Sequence, residues 1–97
     1  MIDLARDLKT LGHPIRLRII EALTTNRSLV ASMISTFIGE SRSVTSHHLR
    51  ILEQGGFVEG RKSGQYVVYV RNRSKILKVL KNITFLTDIE GEKNANA

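Results

Sequence analysis

The spacing of apolar residues predicts two helices at the start of the chain. Apolar residues three and four positions apart form one face of the first helix, which should end at Gly12: Ile2, Leu4, Ala5, Leu8 and Leu11. Pro14 suits the first position of a second helix, whose apolar face continues to Leu23 and which closes at the polar spacer TTNRS. The first helix is short, so it needs a partner surface.

Two further short helices follow, joined by a tight turn. Helical spacing of apolar residues predicts the third helix within Leu29 to Ile38, and Gly39 is a natural stop. Ser41 occupies an N-cap position for a fourth helix, which should run over about 42–54 and end at the following glycine pair. The turn between them is GES. Two short helices joined in this way have the outline of a helix-turn-helix.

The spacing of apolar residues changes after the glycine pair Gly55 and Gly56. The runs FVEGRK and QYVVYVR are rich in β-branched and aromatic residues and are separated by SerGly, which predicts a two-stranded hairpin over about 58–71, with its tip at 61–64. The helical period returns in SKILKVLKNITFLTDI. We therefore expect a mainly α protein with a small β-hairpin, in the order α-α-α-α-β-β-α. One domain should cover 1–90, and the polar tail 91–97 should be disordered.

Both terminal helices carry an apolar stripe, which suggests that they meet within one subunit or between two. A chain of 97 residues forms only a marginal single core, so pairing with a second copy would stabilise it. The alternative is that the last helix simply completes the monomer core. We favour a homodimer, with an interface formed by Leu4, Leu8, Ile76, Leu80 and Ile83.

Charge and composition narrow the class of function. Fifteen Lys and Arg against nine Asp and Glu give a net charge of +6, which attracts polyanions such as nucleic acid. The absence of cysteine excludes a disulfide framework, a thiolate metal site and a cysteine nucleophile. No apolar run has the roughly 18 residues that span a bilayer. We therefore expect a cytoplasmic protein without a membrane partner.

The stretch SVTSHHLRIL in the fourth helix contains two adjacent histidines, but it does not predict a metal site or a catalytic centre. Metal ligands on one helix need a spacing of three or four, and His47 and His48 point in different directions; His13 lies far away in sequence. The chain has no GxSxG elbow, and no third group that would orient a Ser-His pair is evident. We expect neither a metal, nor another cofactor, nor enzymatic activity.

A helical wheel instead separates a polar outward face from an inward face that holds Thr45, His48, Leu49 and Leu52. The outward side chains can hydrogen-bond base edges in a major groove: Ser43, Ser46, His47 and Arg50. Phosphate contacts are expected from the start of this helix and from the basic hairpin: Ser41, Arg42, Arg61, Lys62 and Arg71. This arrangement predicts binding to double-stranded DNA.

Three runs of the sequence resemble the ArsR-type metalloregulator family of winged helix-turn-helix repressors: LGHPIRLRIIEAL, SVTSHHLRILEQGGFV and GRKSGQYVVYVR. The most specific motif, S-x-H-L-x-x-L-x-x-x-G-[FL]-V, is met from Ser46 to Val58. The wing pattern of the family has a basic tip, a glycine and a strand that ends in tyrosine. This chain matches it with Arg61, Gly64 and Tyr69. The resemblance covers roughly Leu8 to Arg73. It implies a homodimer formed by the first and last helices, which would bind a palindromic operator as a repressor released by an effector.

Two departures from the family pattern concern metal sensing. Where many members carry a Cys-x-Cys site on the third helix, this chain has Val30, Ala31 and Ser32, and its last helix has no histidine between Lys75 and Thr87. The family's sensing of arsenic, cadmium or zinc is therefore not carried over, and the effector stays open. A different class of function also stays open, in which the winged helix binds a protein or an RNA without sequence-specific DNA binding.

Overall fold

The structure is a computed structural model that describes the backbone of residues 2–96 and the side chains of residues 3–88. The helices are α1 (Ile2–Leu11), α2 (Pro14–Thr25), α3 (Ala31–Ile38), α4 (Arg42–Gln54) and α5 (Arg73–Asn96). The strands are β1 (Leu29–Val30), β2 (Val58–Ser63) and β3 (Tyr66–Arg71). The predicted order of helices and hairpin is confirmed, with one short strand added before α3.

A single hydrophobic core holds the helix-turn-helix against the base of the hairpin. Its fully buried side chains come from α2, α3, α4 and the residue after the glycine pair: Ile19, Leu23, Ile34, Ile38, Leu49, Leu52 and Phe57. Burial of a large apolar side chain contributes roughly 1.5–3 kcal/mol. The helices that carry the candidate DNA-binding residues are therefore fixed by the same contacts that stabilise the fold.

The strand β1 corrects the predicted start of the third helix. Leu29 and Val30 were expected to be helical, but they pair antiparallel with Tyr69 and Val68 of β3. The sheet is consequently three-stranded, in the order β1-β3-β2, rather than a free two-stranded hairpin. A two-residue strand has no alternation of its own, so its pairing depends on a partner about forty residues away in sequence.

The turn between α3 and α4 has the predicted helix signals. Gly39 ends α3 in the left-handed region at φ 71°, where a residue with a Cβ would be strained. The Oγ of Ser41 accepts a hydrogen bond from the backbone N–H of Val44 over 3.1 Å and so caps α4. These two residues fix the direction in which α4 leaves the turn.

The tip of the hairpin lies beyond its expected position. Arg61 and Lys62 are not turn residues, because both pair with β3 inside β2; the turn itself consists of Gly64 and Gln65. Gly64 adopts φ 61°, which a tight turn between two strands requires and which glycine permits. The two basic residues therefore have orientations set by the sheet.

The two terminal helices meet within one subunit, and only part of their apolar stripe is buried there. Leu4 is buried in the core, and Ile76 packs against it, so these two residues belong to the subunit interior. Val79, which was not predicted, is also buried. Leu8, Leu80 and Ile83 remain exposed, at 44%, 55% and 37% of their full surface.

The last helix is longer than expected. Its backbone continues as helix to Asn96, whereas the sequence predicted a disordered tail from Gly91. None of the helices within residues 2–96 combines the length and the apolar character needed to cross a membrane.

Candidate nucleic-acid interface

The helix α4 presents a polar face to solvent and an apolar face to the core, as the helical wheel predicted. All four residues proposed to contact bases, namely Ser43, Ser46, His47 and Arg50, are exposed. The inward set is buried: Thr45, His48, Leu49 and Leu52. The hydroxyl, imidazole and guanidinium groups on the outward face can form hydrogen bonds with base edges in a major groove.

The N-terminal turn of α4 is stabilised by side chains as well as by its backbone. Thr45 is fully buried, and its Oγ1 donates a hydrogen bond to the carbonyl oxygen of Ser41 over 2.8 Å. Arg42, the first residue of the helix, is exposed. The partial positive charge of a helix N-terminus favours anions, and Arg42 adds a full charge at the same place.

The histidines of α4 have different environments. His47 is exposed, whereas His48 is buried and its Nδ1 accepts a hydrogen bond from Nε of Arg16 over 3.3 Å. The ring of His13, which seemed isolated in sequence, lies 4.5 Å from that of His48 between centroids. The sequence could not show this contact because it joins the start of α2 to the middle of α4.

Burial is the largest cause that lowers the pKa of His48 below the ordinary value of 6.5. Electrostatic repulsion from His13, Arg16 and His47 acts in the same direction, and the carboxylate of Glu40 opposes it. The Nδ1 of His48 must be unprotonated to accept from Arg16, so the neutral imidazole suits this site. Within the described residues, no three His, Asp or Glu side chains are grouped to hold a metal ion.

The register of the hairpin separates its two basic residues. Lys62 pairs with Val67 and Arg61 with Val68, and successive residues of a strand point to opposite faces. The face of Lys62, Val67 and Tyr69 is the one turned toward α4, because Val67 and Tyr69 line a cleft against it. Arg61 lies on the other face, where its Nη2 forms an ion pair with Oε2 of Glu59 at 3.0 Å.

The interface cleft lies between the N-terminal half of α4 and the hairpin, with a volume of about 390 Å³. Arg42 and Ser46 line it from α4, and Gln65, Tyr66 and Val67 line it from the hairpin tip. Tyr66 is 59% exposed although it is a large aromatic residue. Gln65 and Tyr66 were not predicted to belong to the interface, although their position within four residues of Lys62 was a usable signal in the sequence.

A hydrogen bond joins the hairpin to the end of α4. Oε2 of Glu53 accepts from the backbone N–H of Gly60 over 3.1 Å. A Cβ at Gly60 would lie 3.1 Å from Cγ1 of Val67 and 3.2 Å from the ring of Tyr69, so glycine allows the strands to approach closely here. The orientation of the hairpin is therefore tied to the helix that it flanks.

Arg71 does not lie with the other proposed phosphate-contacting residues. It is the last residue of β3 and pairs with Val58 at the base of the hairpin, whereas Tyr66 begins the strand at the tip. Five residues separate these ends, which is about 16 Å at roughly 3.3 Å per residue. Arg42 and Ser46 thus line the cleft with the wing tip, whereas Arg71 lies at the base of the hairpin.

Comparison with known proteins identifies the family. A family model described as a helix-turn-helix domain matches residues 11–61. An HTH-type transcriptional regulator of Mycobacterium tuberculosis is 35% identical over 65 residues, which cover 67% of this chain and 57% of that protein. The chain thus spans little more than half the length of this relative.

Solved structures agree in fold. An ArsR-like transcriptional regulator from Rhodococcus sp. RHA1 matches with a TM-score of 0.85 over 97% of this chain and 88% of that chain, at 24% identity. The homodimeric winged helix-turn-helix DNA-binding domain of a possible ArsR-family transcriptional regulator from Mycobacterium bovis matches with a TM-score of 0.70 and 26% identity, over 89% and 79%. The hairpin is therefore the wing of a winged helix. The chain belongs to the ArsR-type family of winged helix-turn-helix transcriptional regulators.

Proposed function

We propose that this protein is a homodimeric repressor that binds a palindromic operator in double-stranded DNA. The observation that carries the proposal is the surface shared by α4 and the wing, where Arg42, Ser46 and Tyr66 line one cleft and Lys62 is exposed on the wing. An α-helix fits the major groove of DNA, where its side chains can contact base edges. A positively charged surface beside such a helix attracts the phosphate backbone. A regulator of this kind acts in the cytoplasm, where it meets the DNA, and needs no catalytic activity.

The outward face of α4 would read the sequence. Ser43, Ser46, His47 and Arg50 are proposed to contact base edges, and Arg50 has the guanidinium that pairs in a bidentate way with guanine. His48 is buried and acts as a packing residue in this proposal. Base discrimination by one bidentate contact is worth roughly 1–3 kcal/mol.

The start of α4 and the wing would hold the phosphate backbone. Ser41 and Arg42 lie at the N-terminus of α4, and Lys62 lies on the wing face turned toward it. Arg61 faces the other way, so its contribution would be to the general positive field rather than to a direct contact beside α4. Such contacts position the protein without reading the sequence.

The exposed apolar residues of the terminal helices support the homodimer. Leu8 on α1 and Leu80 and Ile83 on α5 are exposed in one subunit, and exposed apolar surface of this kind is typical of an interface. The solved relative from Mycobacterium bovis is a homodimer. A twofold dimer would place the two copies of α4 on half-sites about 10 base pairs, or one helical turn, apart.

Selection of bound duplexes from a random library, followed by a salt titration on the enriched sequence, tests this proposal. We expect a palindrome with half-sites about one helical turn apart and a steep decrease in affinity with salt. Arg50→Ala should relax the preference at one base pair of each half-site, whereas Arg18→Ala, an exposed arginine of α2, should not. Failure to enrich any sequence would contradict the proposal and favour a winged-helix module that binds a protein or an RNA.

A further inference from the structure

Three arginines surround a cleft at the base of the wing, away from the exposed face of α4. This arginine cleft has a volume of about 290 Å³ and is lined by Leu23, Thr24, Arg27, Arg71 and Arg73. Its walls come from the end of α2, the segment before β1, the end of β3 and the start of α5. Residues widely separated in sequence thus contribute like charges to one place.

The charges of the arginine cleft have no counterpart in the described part of the chain. No carboxylate is among the lining residues, and within residues 3–88 none of the three arginines has a carboxylate oxygen within 4.0 Å. Arg61, by contrast, pairs with Glu59. Guanidinium groups stay charged at any physiological pH, so three of them around one cleft repel one another and favour a bound anion.

The arginine cleft is distinct from the interface cleft, because the two share no lining residue. Arg71 ends β3 about 16 Å from the wing tip at roughly 3.3 Å per residue. The strand β1 runs antiparallel to β3, with Leu29 opposite Tyr69, so Arg27 lies on the side of the wing base as well. Arg42 and Ser46 instead line the cleft at the wing tip. The contacts proposed for a duplex, on α4 and at Lys62, do not include Arg27 or Arg73.

The chemistry of the lining indicates the class of ligand. Guanidinium groups bind phosphate oxygens in a bidentate way, which makes arginine well suited to phosphate recognition. Three positive charges balance a chain of two or three phosphates better than a single carboxylate. The volume lies near the lower limit of the roughly 300–1,000 Å³ typical of small-molecule sites, which suits a compact ligand.

We propose that the arginine cleft binds a small molecule that carries a diphosphate or triphosphate group. Arg27, Arg71 and Arg73 hold its phosphates, and Leu23 forms the apolar floor. The ligand would contact both the last strand of the wing and the first residue of α5. It is thereby placed to link the wing with the helix that carries the exposed apolar residues. Binding itself does not depend on the proposed DNA-binding function.

Isothermal titration calorimetry of the full chain without DNA, using pyrophosphate and ATP as separate probes, tests the proposal. We expect saturable binding with one site per chain. Replacing Arg27 and Arg73 together by glutamine should weaken binding by on the order of tenfold or more, since each substitution removes charge-assisted hydrogen bonds to the phosphates. Arg18→Gln together with Lys9→Gln removes the same charge from exposed residues elsewhere and should leave the affinity within about twofold. Thermal unfolding monitored by circular dichroism verifies that each variant is folded.

Three outcomes would overturn this proposal. One is the absence of saturable binding of both probes to the folded wild-type chain. Another is an equal loss of binding in the Arg27/Arg73 pair and in the Lys9/Arg18 control pair, which would show attraction by net charge alone. In the third, the wild-type chain binds neither pyrophosphate nor ATP, and the Arg27/Arg73 variant binds long duplexes more weakly and with less salt dependence than the wild type. That result would assign the arginine cleft to flanking DNA backbone instead.

Discussion

The side chain of Arg16 connects three helices by hydrogen bonds to Thr10 and His48. Its Nη1 donates to the carbonyl oxygen of Thr10 over 2.8 Å, and its Nε donates to Nδ1 of His48 over 3.3 Å. The end of α1 and the start of α2 are thereby joined to the middle of α4. Since the second bond requires an unprotonated Nδ1, the packing beneath α4 depends on the neutral form of one histidine.

We expect the free energy of unfolding to decrease as the pH falls below about 6.5, with His48 as one cause. The pKa of His48 is lowered in the folded chain, chiefly by burial, so the unfolded chain takes up a proton that the folded chain does not. The contribution of neutral His48 to the free energy of unfolding is fully present above its ordinary pKa of 6.5. It is lost as the pH falls toward the lower pKa of the folded chain. Urea unfolding between pH 8 and pH 5.5 measures the effect.

The variant His48→Gln supplies the test of that assignment, because a glutamine oxygen can still accept from Arg16 and does not titrate. Its unfolding free energy should vary less with pH than that of the wild type. His47→Gln, one residue away and exposed, should alter the pH dependence less than His48→Gln does, because His47 is only a minor cause of the lowered pKa of His48. Identical pH profiles for His48→Gln and wild type would contradict the role given to His48.

Replacing Asp7 by asparagine should destabilise the fold by about 1–3 kcal/mol. Its Oδ1 lies 3.1 Å from Nζ of Lys75, and these side chains are only 10% and 25% exposed, so the ammonium would lose its partner while partly buried. Asp3→Asn is a matched control on the same helix, because Asp3 is 86% exposed and 4.0 Å from Arg6. It should change stability by less than about 0.5 kcal/mol in the same urea titration. Equal effects would refute a structural role for the Asp7–Lys75 pair.

Thr45→Val should leave stability unchanged or raise it by up to about 1 kcal/mol, although Thr45 is fully buried. Its hydroxyl donates to the Ser41 carbonyl, but the backbone N–H of Thr45 already donates to that oxygen over 3.0 Å. Valine keeps the volume and buries a methyl group in place of the hydroxyl. Thr45→Ala, which leaves a cavity, should cost about 1–2 kcal/mol. Chemical denaturation measures the free energy of unfolding of both variants. If Thr45→Val loses as much stability as Thr45→Ala, the hydroxyl itself is needed.

Lys62→Gln should weaken DNA binding more than Arg61→Gln. Lys62 lies on the wing face turned toward α4, whereas Arg61 lies on the other face and is paired with Glu59. Loss of one phosphate contact should reduce the slope of log affinity against log salt by about one for Lys62→Gln. Fluorescence anisotropy with the selected duplex at several salt concentrations measures both variants. A larger loss for Arg61→Gln would show that the opposite face of the wing meets the DNA.

The double variant Leu80→Glu, Ile83→Glu should be monomeric at tens of micromolar protein while remaining folded. Both residues are exposed on α5 in one subunit, so the charges would be tolerated there but not in an apolar interface. Leu17→Glu, at a residue 52% exposed on α2, is the control and should keep the wild-type oligomeric state. Sedimentation velocity distinguishes the outcomes. A dimer that persists in the double variant would place the interface elsewhere.

Local patterns in the sequence were sufficient for α1, α2 and α4 and for the two faces of α4. Apolar spacing, the cap at Ser41 and the glycine at position 39 act within a few residues, and the structure has α4 over the predicted 42–54. The same wheel separated buried His48 from exposed His47. These features follow from the helical period, which is set by the backbone and does not depend on the rest of the fold.

Only the tertiary structure decided which distant residues meet. The pairing of Leu29 with Tyr69, the contact of His13 with His48 and the cleft of Arg27, Arg71 and Arg73 each join segments more than thirty residues apart. The sequence named Arg61 and Lys62 together, and the register of the sheet put them on opposite faces. Such relationships depend on how elements pack and on which strands pair, and a one-residue change of register would reverse them.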